Sequence, residues 1–435
     1  MRLKPDEIKE LLPELGEKEA FQLLKEWIIN SNEEPLRKRA LEIFSQIDDG
    51  SNYAFFESLF LSDENIEISI LSGKILGIQY SCSDSLFSLF TYTLNKIESI
   101  EKKLIVIKIL ESSNSVKARV ILKNFFLSIL KNNEITHGFI KSDISSQQSL
   151  SLSLNRIIEL GINILLYHYY IHHFNYEVQF RNGFIISLKC INAGISEIGD
   201  IPGIKRLNRL EELNLSINHI SEIWNFSFSP KLKTLNLSNN SINQIKNFNS
   251  LNNLENLMLS NNNIEKICNI DTLSNLKSLS LGHNNIKTIQ NFNFLKNLES
   301  LDLKYNKITS INGMKNLTKL KTLDLSNNQI TSMKGLQYLL NLFSLRLNNN
   351  EIEAIKSIDP LIHLKELYLD DNHIKQLAPL NSIKHLTILS LNGNEIMNIN
   401  KKEQEILEKI NFIFLNENPL NTSSKIWYLK KIKGL

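Results

Sequence analysis

A unit of the form LxxLxLxxNxIxxI recurs through the second half of this 435-residue chain without drifting in its spacing. Its first residue falls at Leu210, Leu232, Leu254, Leu276, Leu298, Leu320, Leu342, Leu364 and Leu386, each 22 residues after the last. One copy reads Leu254, Leu257, Leu259, Asn262, Ile264, Ile267, and another Leu298, Leu301, Leu303, Asn306, Ile308, Ile311. Degenerate copies flank these, from Ile185 through Leu188, Cys190, Ile195 and Ile198, and from Ile410 through Ile413, Leu415 and Asn418, which makes eleven units. Leucines two apart point to the same side of an extended chain, so LxL predicts a short strand. The isoleucines three apart let the chain turn and bury its return path. A unit this short cannot close a core alone. Stacking its strands side by side closes one, and the outcome is a solenoid held by neighbour contacts.

Asparagine occupies the ninth position of ten units, at Asn218, Asn240, Asn262, Asn284, Asn306, Asn328, Asn350, Asn372, Asn394 and Asn418. Its amide both donates and accepts. At a strand-to-loop bend it can satisfy backbone groups that leave the sheet and would otherwise be buried without partners. That reading is structural, not catalytic. The pattern resembles the leucine-rich-repeat family, in the subclass with 22-residue units found in regulatory subunits of protein phosphatase 1 and in bacterial internalins. The resemblance covers roughly Ile185 to Leu420. It implies a curved array with a parallel sheet on its concave face, and short turns and 3₁₀ pieces on the convex side. The first unit departs from the pattern at Cys190 and Ala193, as an edge repeat does. Upstream, YEVQF and FIISLK flank Arg181-Asn182-Gly183, a strong hairpin signal. Downstream, Asn418-Pro419-Leu420 resembles a terminal repeat, and Lys425 to Lys433, with Ile426, Trp427, Leu429 and Ile432 interleaved, predicts a capping helix. The expected organisation is a helical domain over 1–175, the hairpin-capped array over 176–420 and the helical cap over 421–435.

Residues 1–175 predict helices, at Ile8–Leu15, Ala20–Ile29, Leu36–Ile47, Ile66–Ile78, Ile100–Leu110 and about Leu154–His173. The run Leu36, Arg37, Ala40, Phe44 resembles the second helix of a HEAT-type repeat. Similar helices end at Leu76, 32 residues after Phe44, and at Leu110, 34 residues further on, with Ser72 and Val106 where the first has Ala40. A HEAT-like α-solenoid and an unrelated helical bundle both fit. Ser142 to Ser153 reads as a loop.

Net charge is +3, split between 19 basic and 24 acidic residues up to 180 and 30 and 22 beyond it, so neither half argues for nucleic acid. The three cysteines, Cys82, Cys190 and Cys268, are far apart, with no disulfide framework or metal-type spacing. This suggests a reducing compartment. The first residues, MRLKPDEIKE, are charged, with no secretory apolar core behind them. The most apolar stretch, near Ile157 to Ile171, contains Glu159, Asn163 and His168 and reads as a buried helix rather than a membrane span. A cytoplasmic protein is expected. No P-loop, G-x-S-x-G or HExxH pattern occurs. His168 and His172 stand four apart on a helix, a spacing that can serve a metal, but no acidic or cysteine partner is evident nearby, and packing among Tyr167, Tyr169 and Tyr170 accounts for them. No cysteine follows Cys268, so the ubiquitin-ligase domain of some bacterial repeat proteins has no counterpart. The unit is also shorter than that of Ran-type GTPase activators. No enzyme and no cofactor are expected.

Function in such an array belongs to positions the pattern leaves free. The second, third, fifth, seventh and eighth residues of LxxLxLxx face outward. Early units carry small polar groups there: Asn236, Ser238, Asn239, Ser280. From the sixth unit on, Asp302, Lys304, Tyr305, Asp324, Phe343, Arg346, Tyr368, Asp370, Asp371 and Phe414 take these places. Tyrosine and arginine are enriched among binding hot spots, and an outward phenylalanine on a wet sheet is unfavourable without a partner. Packing of Phe343 and Tyr368 on neighbouring side chains is the alternative. The expected function is a protein-binding scaffold. Narrower or different readings are a regulatory subunit of a phosphatase or small GTPase, and a cell-surface adhesin of internalin type.

Overall fold

Helices carry the apolar periodicity of the first half. The computed structural model describes residues 3–81, 83–131, 153–377 and 385–433 and divides into two units, Met1–Tyr169 and Tyr170–Leu435. Within the first lie α1 (Pro5–Glu10), α2 (Leu12–Leu15), α3 (Glu17–Asn30), α4 (Glu34–Ile47), α5 (Tyr53–Ser62), α6 (Ile66–Gln79), α7 (Asp84–Lys96), α8 (Ile100–Ser112) and α9 (Val116–Lys131). The division between the units falls inside α10 (Leu154–Phe174). Cys82 and residues 142–152 of the serine-rich stretch lie outside the described residues.

Three helices, α5, α7 and α9, go beyond those the sequence predicts. In α5 the apolar residues Ala54, Phe55, Phe56, Leu59, Phe60 and Leu61 surround most of the helix, which blurs the 3.6-residue stripe that periodicity detects. The single helix expected over Ile8–Leu15 is two, because Leu11 leaves helical geometry and Pro13 has no N–H with which to continue the ladder. Helices pair as α3 with α4, α5 with α6 and α7 with α8, while α4, α6 and α8 pack in succession. Stacked helical hairpins make that order. Ala40, Ser72 and Val106 are all fully buried along it, and the Ser72 hydroxyl donates to the Ile68 carbonyl at 2.9 Å, so its polarity is satisfied inside the helix. The core between the hairpins is aromatic, with Phe44, Phe56, Phe60, Phe90 and Phe126 fully buried.

The second unit is built on one 12-stranded sheet in strict chain order. β1 (Glu177–Arg181) and β2 (Phe184–Lys189) form the antiparallel hairpin, turning at Asn182 and Gly183, both with positive φ as such a turn requires. Ten parallel strands follow: β3 (Glu212–Asn214), β4 (Thr234–Asn236), β5 (Asn256–Met258), β6 (Ser278–Ser280), β7 (Ser300–Asp302), β8 (Thr322–Asp324), β9 (Ser344–Arg346), β10 (Glu366–Tyr368), β11 (Ile388–Ser390) and β12 (Phe412–Phe414). Each central residue, from Leu213 to Ile413, points inward and is buried.

The ninth-position asparagines hold these strands to their return paths. Asn284 donates from Nδ2 to the carbonyls of Leu281 and of Leu259 in the preceding unit, both at 3.0 Å, and its Oδ1 accepts from Ile264 N–H at 2.9 Å. Asn262 and Asn306 repeat the arrangement. The first unit has Ala193 instead, and there Asn218 Oδ1 accepts from both Ala193 and Ile195.

Two inward positions in the return path escape the sequence pattern. Phe226, Phe248, Phe292, Met314 and Leu336 recur in one, and Leu251, Leu273 and Leu295 in the other, all buried. Leu251 N–H donates to Phe248 at 3.0 Å and Leu254 N–H to Leu251 at 3.1 Å, i to i−3 bonds in sequence. Such tight turns explain why side chains three apart share a face. One α-helix, α11 (Lys401–Leu407), also stands on this side, where only turns and 3₁₀ pieces were expected. The interval from Leu386 to Ile410 is 24 residues, not 22, which leaves chain for the extra turn. Beyond β12, α12 (Thr422–Lys433) lies against the last unit: the Tyr428 hydroxyl accepts from Leu415 N–H at 3.0 Å and Ser424 Oγ from Ile399 N–H at 2.8 Å.

Candidate functional site

A three-residue strand with its middle residue inward must present the residues on either side to solvent. The parallel register then sets each outward residue beside its equivalent in the next unit. Asp302 pairs with Asp324, Asp324 with Arg346, Arg346 with Tyr368, Tyr368 with Ser390 and Ser390 with Phe414. Five of the ten residues singled out in the sequence therefore form one file across β7 to β12. Lys304 and Asp370 lie just past the strand ends. Tyr305 and Asp371 follow them in left-handed backbone geometry, with φ of 51° and 52°. Phe343 precedes β9, at the opposite border of the file. The ten positions are thus a file and two flanks, not one cluster.

Within this surface the carboxylates are engaged locally. Asp302 Oδ1 accepts from Lys304 N–H at 3.1 Å, and Lys304 Nζ lies 3.7 Å from Asp302 Oδ2. Asp324 accepts from Ser326 N–H at 3.0 Å. Asp370 accepts from Asn392 N–H at 2.8 Å and from the Ser390 hydroxyl. The aromatic groups are backed on one side. The Arg346 guanidinium sits 4.8 Å from the Tyr368 ring centre, Lys365 Nζ 5.3 Å from that of Phe343, and His283 stacks on Tyr305 at 4.2 Å. A cation over an exposed ring contributes about 0.5–1 kcal/mol, less than burying the ring would. Phe343 accordingly has a partner and still stands 40% exposed. Tyr305 and Phe414 are exposed as well.

Phe412 escapes the sequence reading and is 58% exposed, on β12 beside Ile388. The signal was present, since Phe412 holds the third, outward position of its unit. A second missed feature is the column at the second position: Glu211, Lys233, Glu255, Lys277, Glu299 and Lys321 alternate in sign through six successive units. Glu211 pairs with Arg181 and Lys233, Glu255 with Lys277 at 2.7 Å, and Glu299 with Lys321 at 2.7 Å. All of the column but Lys321, with Lys231, Lys319, Asn253, Asn275 and Asn297, lines an open groove of about 680 Å³. The hydrogen bond and charge of Lys277 hold the Glu255 carboxyl below its ordinary range, and Lys321 does the same for Glu299. The column is self-neutralising, so it offers a partner little net charge. It stops where Phe343 takes the second position.

Among the described residues no group of three or more His, Cys, Asp or Glu side chains could hold a metal ion. His168 stands edge-on to Tyr167 at 5.5 Å. Cys190 is buried in the array, and desolvation pushes its thiol well above the ordinary range, which favours the neutral thiol. No helix among the described residues is long and apolar enough to cross a membrane.

Residues 208–264 and 274–330 match the family model for leucine-rich repeats. The array is a leucine-rich-repeat solenoid. It resembles an internalin of Listeria monocytogenes at 23% identity and a TM-score of 0.47, over 67% of this chain and 87% of that one. Internalin C2 of the same organism aligns at 29% identity and a TM-score of 0.38, over 48% and 82% of the two chains. A leucine-rich-repeat protein of Leptospira interrogans aligns at 29% identity and 0.44, over 53% and 66%. No curated protein matches the chain. With TM-scores this low, the fold assignment rests on the family match and on the register of the array itself.

Proposed function

We propose that the leucine-rich-repeat array is a non-enzymatic scaffold that grips a protein partner on its sheet face, from β7 to β12. One observation carries this reading: bulky aromatic side chains stay exposed on the later strands, where the earlier strands present Thr234, Asn236, Ser278 and Ser280. Exposed phenylalanine on a sheet is unfavourable in water and becomes favourable once a partner covers it. Asp302, Lys304, Tyr305, Asp324, Phe343, Arg346, Tyr368, Asp370, Asp371 and Phe414 are the proposed contacts, joined by Phe412. Arg346 and Tyr368 supply the hot-spot chemistry, combining area with directional bonding. Strands about 4.8 Å apart make the file from β7 to β12 roughly 24 Å long, enough for one helix or loop of a partner.

The test is affinity purification with mass spectrometry, using the whole chain and the triple variant Phe343→Ala, Arg346→Ala, Tyr368→Ala. Partners captured by the first and lost by the second support the reading. The same partners on both, with the variant's melting curve unchanged, would sink it. Splitting the bait at about residue 176 assigns each partner to one half.

A further inference from the structure

We propose that the groove between α7 and α9, in the helical unit, is a docking site for an amphipathic helix of another protein that carries acidic residues beside its apolar stripe. The groove holds about 880 Å³. Phe87 and Ile121 contribute its apolar depth, and Thr91, Tyr92, Val116 and Val120 its walls. Val116 is 75% exposed, and Val120, one turn further along the same face, is exposed with it. Exposed valines are weak helix formers as well as poorly hydrated, so neither helix propensity nor solubility accounts for them. Two helix walls with an apolar floor accept the ridge of a third helix.

The rim charge selects the occupant. Of the charged residues lining the groove, Lys96 and Lys117 are basic and Asp84 is acidic. Beyond the lining, α9 also carries Arg119, Lys123 and Lys131, and it has no acidic residue. At the far end of α7 stands Lys96, and the acidic residue of that helix, Asp84, is already paired with Lys117. A helix with Asp or Glu beside its apolar stripe meets this rim favourably, whereas a second copy of this chain would bring the same positive rim against itself. At 1.5 Å per residue the 16 residues of α9 extend roughly 24 Å, room for about four turns of a partner. A flat anionic membrane would meet the basic rim but leave the floor uncovered.

The probe is a displayed library of 18-residue helix-forming peptides selected on the whole chain. Enriched peptides should carry apolar residues at i, i+3 or i+4, and i+7, with Asp or Glu beside them. A synthetic peptide of that sequence should lose at least tenfold in affinity both for Val116→Asp/Val120→Glu and for Lys96→Glu/Lys117→Glu. All four positions are exposed, and circular dichroism melts check that each variant is folded. The triple variant of the sheet face should keep full affinity, which separates this site from that one. Enrichment of basic or stripe-free peptides, equal binding to both groove variants, or binding to phosphatidylserine vesicles with no such peptide enriched overturns the proposal.

Discussion

Two kinds of residue in this array do opposite things at nearly the same place. Asn284 is buried and bonds four backbone groups, the carbonyls of Leu259, Leu281 and Gly282 and the Ile264 N–H, so its loss leaves donors and acceptors unsatisfied in the core. Replacing Asn284 with Ala should destabilise the array by roughly 2–4 kcal/mol, read by denaturant unfolding, since each orphaned buried group costs about 1–3 kcal/mol. The eighth position, one residue earlier, adopts positive φ in unit after unit, usually with Asn: Asn239, Asn261, Asn327 and Asn349. Ile217 breaks that rule, with φ of 58° and an exposed, β-branched side chain. A left-handed conformation costs an L-residue of this kind about 1–2 kcal/mol. Ile217→Asn should therefore raise stability by about 1 kcal/mol. An unchanged or lower midpoint would show that the Ile217 side chain stabilises the array by as much as its backbone costs.

Among the elements, the charged column beside the strands is the most sensitive to conditions. Glu255 and Glu299 have carboxyls held below their ordinary value, so the folded state favours the charged form. Their contribution is complete above the ordinary value of 4.5 and is lost as pH falls through the lowered folded value. Thermal melts of the wild type and of Glu255→Gln/Glu299→Gln should converge as pH drops below that value. They should also converge at 1 M salt, because both pairs are solvent-exposed and screened. A gap that persists at low pH would mean the substitutions act through packing. The helices show a different limit. α4, with a clean apolar stripe, was legible in the sequence, whereas α7, with a similar stripe, was not read. Apolar residues around most of α5 hid it, because periodicity says nothing when every side is apolar.

In a one-dimensional array each unit leans on its neighbours, and the last one needs a cap. Tyr428 provides part of it through its bond to Leu415 N–H. Tyr428→Phe should cost about 1 kcal/mol and speed hydrogen exchange at Leu415 and in β11 and β12, while β5 to β7 keep their protection. Uniform loss of protection across all strands would show instead that the array opens as a single cooperative block. The candidate site follows the same linear logic. Its members are far apart in the sequence and adjacent only because the register repeats.

That register was fully legible in the sequence: leucines two apart fix strands, and a constant interval fixes which residues become neighbours. The inward leucines, the bonding asparagines and the file from Asp302 to Phe414 all follow from it. What it could not show is how side chains at neighbouring positions use their freedom. Lys365 covers one face of Phe343, Arg346 lies on Tyr368, and Glu and Lys close into pairs, because these outcomes depend on rotamers meeting across 22-residue intervals. The groove between α7 and α9 belongs wholly to tertiary structure. Neither helix is among those read from the sequence, although α7 has helix-spaced apolar residues, and only their packing leaves Val116 and Val120 exposed beside a basic rim.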